Sequence, residues 1–191
     1  MAKNSDKSIL KGKVVLLGLT GSIAIYKSCE LARRLKEEGA EVFCLMTQGA
    51  ARFIAPLTFG ALSGNAVETD LWDDKLWKMA HLECAEKANI YLIAPASANC
   101  LAKLANGFTD DIVSAAVSAT RAPVLLAPAM HEGMWLNRAT QANVKQLKSY
   151  GVHFVGPERG ELLRGNIGWG RLAEVSSIIS EIKKILARSA S

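Results

Sequence analysis

An α/β fold of three layers, with a parallel sheet between two sets of helices, is predicted by three features of the 191-residue chain. Short apolar runs at residues 14–19, 42–46, 90–94, 124–127 and 152–155 have the β-branched and leucine-rich character of buried strands. Segments of helical character separate them, the alternation that builds a parallel sheet covered on both faces. Two small, polar-tipped loops directly follow the third and fourth runs, where an open α/β sheet binds its ligands. With right-handed crossovers, the expected product is a three-layer Rossmann-like (flavodoxin-like) sandwich with a central parallel sheet.

The first run leads through Thr20-Gly21-Ser22-Ile23-Ala24 into a helical pattern carried by Leu31 and Leu35, and Gly39 stops that helix before the second run. Residues 56–64 read as a short helix ended by glycine, and residues 72–77 as irregular, amphipathic and aromatic. The third run continues into Pro95, Ala96, Ser97, Ala98 and Asn99, and the fourth into Pro128-Ala129-Met130-His131-Glu132-Gly133-Met134-Trp135. Residues 160–171 hold four glycines, which predicts a mobile backbone and a candidate lid. A final amphipathic helix over about residues 175–187 covers the sheet with Ile178, Ile179, Ile182 and Ile185. One globular domain over residues 1–191 is expected, with flexible termini at about 1–10 and 188–191.

Half of the residues are hydrophobic, enough for a full core. No apolar run reaches the roughly 18 residues of a membrane span, and residues 1–7 are polar without an apolar signal core, so a cytoplasmic protein that does not enter a membrane is expected. Cys29, Cys44, Cys84 and Cys100 form no CxxC pair, which argues against a zinc site or a redox dithiol and predicts small buried hydrophobes and no metal. The formal charge is +5, but bases alternate with acids in Arg33-Arg34-Leu35-Lys36-Glu37-Glu38, a solvated helix face and not a nucleic-acid stripe. A phosphorylated small molecule accounts for the mild excess equally well.

Gly18 and Gly21 lack the GxGxxG spacing, which favours a mononucleotide over a dinucleotide. Gly21 and Ser22 would offer free N–H groups and a hydroxyl to one phosphate at a helix start; the alternative is Ser22 as a simple N-cap. Thr47 poses the same choice after the second run. Small residues in the two later loops let backbone amides approach a planar ring or a phosphate, while Ser97, Asn99 and His131 supply hydrogen bonds; together they read as a cofactor pocket. His81 is either structural or, at an ordinary pKa of about 6.5, a base at neutral pH. His153 lies in a strand pattern and reads as structural. Asp110 and Asp111 could be an acid/base or metal pair, but Thr109 followed by acids favours a capped helix start. Trp135 and Trp169 sit in glycine-flanked loops, where an indole is expected to cover something.

Five stretches in order resemble the homo-oligomeric flavin-containing cysteine decarboxylase family, most closely its phosphopantothenoylcysteine decarboxylases. They are Gly21-Ser22-Ile23-Ala24-Ile25-Tyr26-Lys27, His81-Leu82-Glu83, Ala94-Pro95-Ala96-Ser97-Ala98-Asn99, residues 103–111 and residues 128–135. The resemblance spans about residues 13–187. It implies an FMN enzyme in which the flavin oxidises a cysteine-like thiol toward a thioaldehyde, an electron sink that lets the neighbouring carboxylate leave as carbon dioxide. By matching position it implies His81 as the catalytic base, with His131 also at the reacting centre. FMN contacts are implied for Gly21, Ser22, Ile23, Thr47, Pro95, Ala96, Ser97, Ala98, Asn99, Ala129 and Met130, and substrate contacts for His131, Met134 and Trp135. It further implies a phosphorylated cysteine conjugate as substrate, in coenzyme A biosynthesis, and a homo-oligomer of trimers or clustered trimers with FMN between subunits.

Two departures from the family pattern matter. His131 stands where an asparagine is usual, replacing an amide by an imidazole. Arg164 stands in the glycine-rich stretch that usually carries a cysteine returning the intermediate to a saturated thiol; its guanidinium suits a substrate phosphate instead. Family members that oxidatively decarboxylate a peptide's C-terminal cysteine also lack that cysteine, so that activity is the alternative, and a flavin-binding regulatory subunit is another. The chain would also fit one domain of a polypeptide fused to a ligase.

Overall fold

The computed structural model describes residues 8–72, 80–161, 165 and 167–189, and residues 80–83 by their backbone alone. Its main sheet holds β1 (Val14–Leu19), β2 (Glu41–Met46), β3 (Val67–Glu68), β4 (Ile90–Ala96), β5 (Val124–Pro128) and β6 (His153–Phe154). All neighbours in it run parallel, in the order β3-β2-β1-β4-β5-β6. The winding reverses between β1 and β4, which opens a crevice at their carboxyl ends. Edge strand β3 has only two half-buried residues and leaves no periodic trace in the sequence.

Strand side chains alternate between faces, so each strand feeds two cores. Val15, Leu17 and Leu19 of β1 and Leu92 of β4 pack with Leu31 and Leu35 of α1 (Ile25–Glu37) and Ile178 and Ile182 of α9 (Val175–Arg188). Leu16, Tyr91, Ile93 and Leu126 pack with Leu101 of α5 (Ala98–Ala105), Val113 of α6 (Ile112–Ala119) and Leu147 of α8 (Arg138–Ser149). Burial on both faces is why the strands read as unbroken apolar runs. Gly18 belongs to this packing: a Cβ there would come within 3.1 Å of the Tyr91 ring and of Ile93. The Tyr91 hydroxyl donates to the Val113 carbonyl at 3.0 Å, and burial raises its pKa well above the phenol range.

Gly39, at φ +88°, makes the left-handed turn from α1 into β2, as its position in the sequence predicts. Pro56 opens α3 (Pro56–Ser63) and Gly64 caps it. Cys44 and Cys100 are buried, and burial pushes both thiols up to about 12; Cys29 and Cys84 are only half-buried, and none of the four is in a disulfide. Among the described residues no group of His, Cys, Asp and Glu could hold a metal ion, and no helix is long and apolar enough to cross a membrane.

The glycine-rich stretch differs from its expectation. It forms an antiparallel hairpin, β7 (Glu158–Glu161) and β8 (Ile167–Arg171), with Gly168 and Gly170 buried on one face of β8. A Cβ on Gly170, whose φ is +124°, would stand 2.0 Å from the Met130 carbonyl oxygen, and one on Gly168 would stand 2.7 Å from the Glu132 carboxylate. These two glycines permit close contact with the loop after β5; mobility is not what they supply. Arg164 lies outside the described residues.

Candidate active site

Loops at the carboxyl ends of β1, β2 and β4 enclose a cleft of about 420 Å³ at the switch point of the sheet. Thr20 and Gly21 follow β1 into it, Thr47, Gln48 and Gly49 follow β2, and Ser97, Asn99 and Cys100 follow β4. Lys103, Asp110, Asp111 and Ser114, from α5 and the start of α6, complete its lining.

Thr20 ties β1 to β4 across the reversal. It is buried, and its hydroxyl donates to the Pro95 carbonyl at 2.7 Å and accepts the Ser97 N–H at 2.9 Å. Beside it the Ser28 hydroxyl of α1 donates to the Ala94 carbonyl at 2.8 Å. Both carbonyls at the Pro95 corner are therefore satisfied by buried hydroxyls, which fixes the path of the loop that follows. On the other side the β1 and β2 turns meet glycine to glycine. A Cβ on Gly21 would come 3.3 Å from the Gly49 backbone, so no side chain intrudes there. Among the described residues the N–H groups of Gly21 and Ile23 have no protein acceptor, which leaves them free for an anionic ligand.

Capping and ligation turn out not to be alternatives. Thr47 caps α2 (Gln48–Ala51) by accepting the Ala50 N–H at 3.2 Å, and Ser97 caps α5 by accepting the Cys100 N–H at 3.2 Å. Each cap uses a lone pair, and the hydroxyl proton of Thr47 and of Ser97 stays available to donate into the cleft. Ser22 does not cap α1. Ala24 holds that position, while the Ser22 N–H donates to the Thr20 carbonyl at 2.9 Å and its hydroxyl accepts the Ala24 N–H at 3.4 Å.

The Asp110–Asp111 pair marks a helix start, capped by Asp111 where the sequence pattern pointed to Thr109. The Asp111 carboxylate accepts the N–H groups of Val113 and Ser114 at 3.1 and 2.9 Å, closing a capping box with Ser114. Lys103 joins both carboxylates, at 2.8 Å from Asp110 and 2.7 Å from Asp111. Burial alone would lower the Lys103 pKa, but the hydrogen bonds and charges of the two aspartates outweigh it and raise it, while the Lys103 hydrogen bond lowers that of Asp110. The stabilisation from Asp110 is present above its ordinary 3.8 and lost as pH falls through its lower folded value; that from Lys103 is present below its ordinary 10.5 and lost as pH rises through its higher one. Urea unfolding of wild type and Lys103→Met across pH should therefore give a wild-type advantage that is full between those limits and shrinks on both sides. Equal stability at every pH would contradict it.

The loop after β5 lies beside the cleft. Ala96 pairs with Pro128, and the Ala129 N–H donates to the Ala96 carbonyl at 3.1 Å. His131 caps α7 (Glu132–Trp135), its Nδ1 accepting the Gly133 N–H at 3.1 Å. A neutral imidazole that accepts through Nδ1 carries its N–H on Nε2, and the side chain is exposed. The imidazole thus does what an asparagine does at a cap, accepting inward and donating outward. Met134 is exposed, whereas Trp135 is half-buried against the α5–α8 core.

Of the residues the sequence singles out, the cleft brings together Gly21, Thr47, Ser97, Asn99, Asp110 and Asp111. Ser22, Ile23, Pro95, Ala96 and Ala98 frame it, with Pro95 and Ala96 buried in the wall. Ala129, Met130, His131, Met134 and Trp135 do not line it, and their loop is tied to the β4 wall through the Ala129 N–H and the Ala96 carbonyl. His81 sits in α4 (Ala80–Lys87), and its side chain, like Arg164, lies outside the described residues. Thr20, Gly49, Lys103 and Glu132 have site positions that sequence patterns did not assign. A threonine ending an apolar strand before a glycine was the available signal for Thr20; a lysine inside a helix gives none.

An open α/β protein with its ligand cleft at the switch point, built from turn amides and cap hydroxyls, is the class that fold and cleft define. A family model described as Flavoprotein matches residues 3–187, and the chain belongs to that family. The coenzyme A biosynthesis bifunctional protein CoaBC of Vibrio vulnificus is 44% identical over 172 residues, 90% of this chain and 43% of the relative. The protein of the same name from Bacillus subtilis is 39% identical over 184 residues, 96% of this chain and 45% of the relative. The chain thus spans less than half the length of these curated relatives. Among solved structures, a PPC decarboxylase mutant complexed with pantothenoylaminoethenethiol is 29% identical, with a TM-score of 0.83 over 93% of this chain and 100% of that one. The FMN-dependent cysteine decarboxylase SpaF is 31% identical, with a TM-score of 0.80 over 96% of this chain and 99% of that one.

Proposed function

We propose that this chain is an FMN-dependent carboxy-lyase acting on a cysteine-derived carboxylate, converting 4′-phosphopantothenoylcysteine to 4′-phosphopantetheine in coenzyme A biosynthesis. The observation that carries it is the glycine-walled switch-point cleft placed directly beside the loop on which His131 presents an N–H donor. The similarity to CoaBC proteins and to a PPC decarboxylase supports this substrate.

The free N–H groups of Gly21 and Ile23, with the Ser22, Thr47 and Ser97 hydroxyls, hold the FMN phosphate and ribityl chain. Pro95, Ala96, Ala98, Asn99, Ala129 and Met130 give the ring a close backbone wall. When bound, FMN supplies a reversible two-electron oxidation of the substrate's thiol-bearing carbon, so that C–C cleavage has an electron sink. His81 takes the thiol proton. His131 donates from Nε2 to the substrate carboxylate and orients it, while Met134 and Trp135 exclude water from it, which disfavours the charged group that must leave. Arg164 clamps the substrate phosphate. The active form is a homo-oligomer, a trimer or clustered trimers, in a cytoplasmic setting; exposed Ile23, Tyr26, Phe53 and Leu57 offer apolar surface for the contact.

A second reading, oxidative decarboxylation of a peptide's C-terminal cysteine, draws support from the likeness to SpaF. The mass of the product of a single turnover separates the two. The proposed reaction loses carbon dioxide alone; the oxidative one also loses two hydrogens. A product that keeps its carboxylate would contradict both.

A further inference from the structure

We infer that Glu132 is a positioning residue that docks the β7–β8 hairpin onto the loop bearing His131 and so sets the hold on substrate, an inference that rests on the function proposed above. The Glu132 carboxylate accepts the Trp169 N–H at 2.8 Å, a charge-assisted bond between α7 and the middle of β8. Two residues earlier, the Met130 N–H donates to the Gly170 carbonyl at 2.9 Å. His131 lies between these two fastenings, so the strand is secured on both sides of the imidazole.

The sequence of β8 is built for this contact. Along Ile167–Arg171 the inward positions are Gly168 and Gly170, and the room left by the missing Cβ of Gly168 is taken by the Glu132 carboxylate. The outward positions, Ile167 and Trp169, keep 69% and 45% of their surface exposed, and Arg159 of β7 stands directly across from Trp169. Docking by Glu132 thus fixes the hairpin against the loop that carries His131 through its glycine face, and leaves its apolar and cationic face outward, open to a substrate with an alkyl-amide arm and an anionic end. Met130–Gly170 is a backbone bond that most substitutions leave intact. Glu132 is the side chain on which the second fastening depends.

The test uses the FMN-loaded full chain. In wild type the Trp169 amide should be protected from hydrogen exchange, and in Glu132→Ala it should exchange about tenfold faster or more, the loss of one charge-assisted bond. The same variant should raise KM for phosphopantothenoylcysteine about tenfold, with kcat within about twofold, because docking acts on binding and not on the chemical step. Glu132→Gln keeps a carbonyl oxygen for the Trp169 N–H and should restore both. Gly168→Ala pushes the carboxylate aside and should reproduce Glu132→Ala, with no further loss when the two are combined. Unchanged Trp169 exchange in Glu132→Ala, or faster exchange with unchanged KM, would overturn the inference. An inactive wild type would instead overturn the proposed function and with it the substrate role, while the exchange comparison would still decide whether Glu132 docks the hairpin.

Discussion

His81→Asn should purify with FMN bound and turn over phosphopantothenoylcysteine about 10²- to 10⁴-fold more slowly, the usual cost of removing a general base. The backbone of α4 gives a reason to expect residue 81 near the cleft. This helix leads through Asn89 directly into β4, and the Asn89 side chain accepts the Val14 N–H at 2.8 Å, at the amino edge of the sheet. The chain therefore enters α4 from the carboxyl-edge side, and residue 81 lies in its first turn. Asparagine keeps much of the hydrogen-bonding capacity and loses the titrating nitrogen, so flavin content and fold should be preserved. Turnover within a few-fold of wild type would remove His81 from the chemistry.

Thr20→Val should be the most damaging single change in the cleft's framework. Valine matches the shape of threonine but leaves the buried Pro95 carbonyl and the Ser97 N–H without the hydroxyl that joins them. Groups stranded in this way cost about 1–3 kcal/mol each, so a loss of about 2 kcal/mol or more in unfolding free energy is expected. Because Ser97 also caps α5 and offers its proton to the cleft, the variant should bind FMN more weakly at temperatures where it is still folded. Chemical denaturation and a flavin titration on the same sample check both. Full stability with full FMN affinity would show that the crevice does not need this tie.

The layers and strands were legible in the sequence because burial on both faces leaves unbroken apolar runs, and Gly39 and Gly64 marked their helix ends as backbone chemistry requires. The loops after β1, β2 and β4 were legible as the lining of a candidate site for a similar reason: small and polar residues after a buried strand have few structural uses. The glycine-rich stretch reads in sequence as a candidate lid because composition does not distinguish a glycine that frees the backbone from one that admits a neighbour. Gly168 and Gly170 do the latter, and only the positions of Met130 and Glu132 reveal it. Thr20 and Lys103 were overlooked because their partners lie far along the chain or read as ordinary surface charge: Thr20 binds residues 75 and 77 positions away. The choice posed for Thr47 between cap and ligand was too narrow, since a hydroxyl accepts and donates at once.

The crevice between β1 and β4 is proposed as the cradle for the flavin's phosphate. Titration of flavin-free protein with FMN and, separately, with riboflavin tests this most directly. FMN should bind one per chain with its fluorescence changed, and riboflavin, which lacks the phosphate, should bind far more weakly. Equal affinities for the two, or no FMN binding at all, would contradict it.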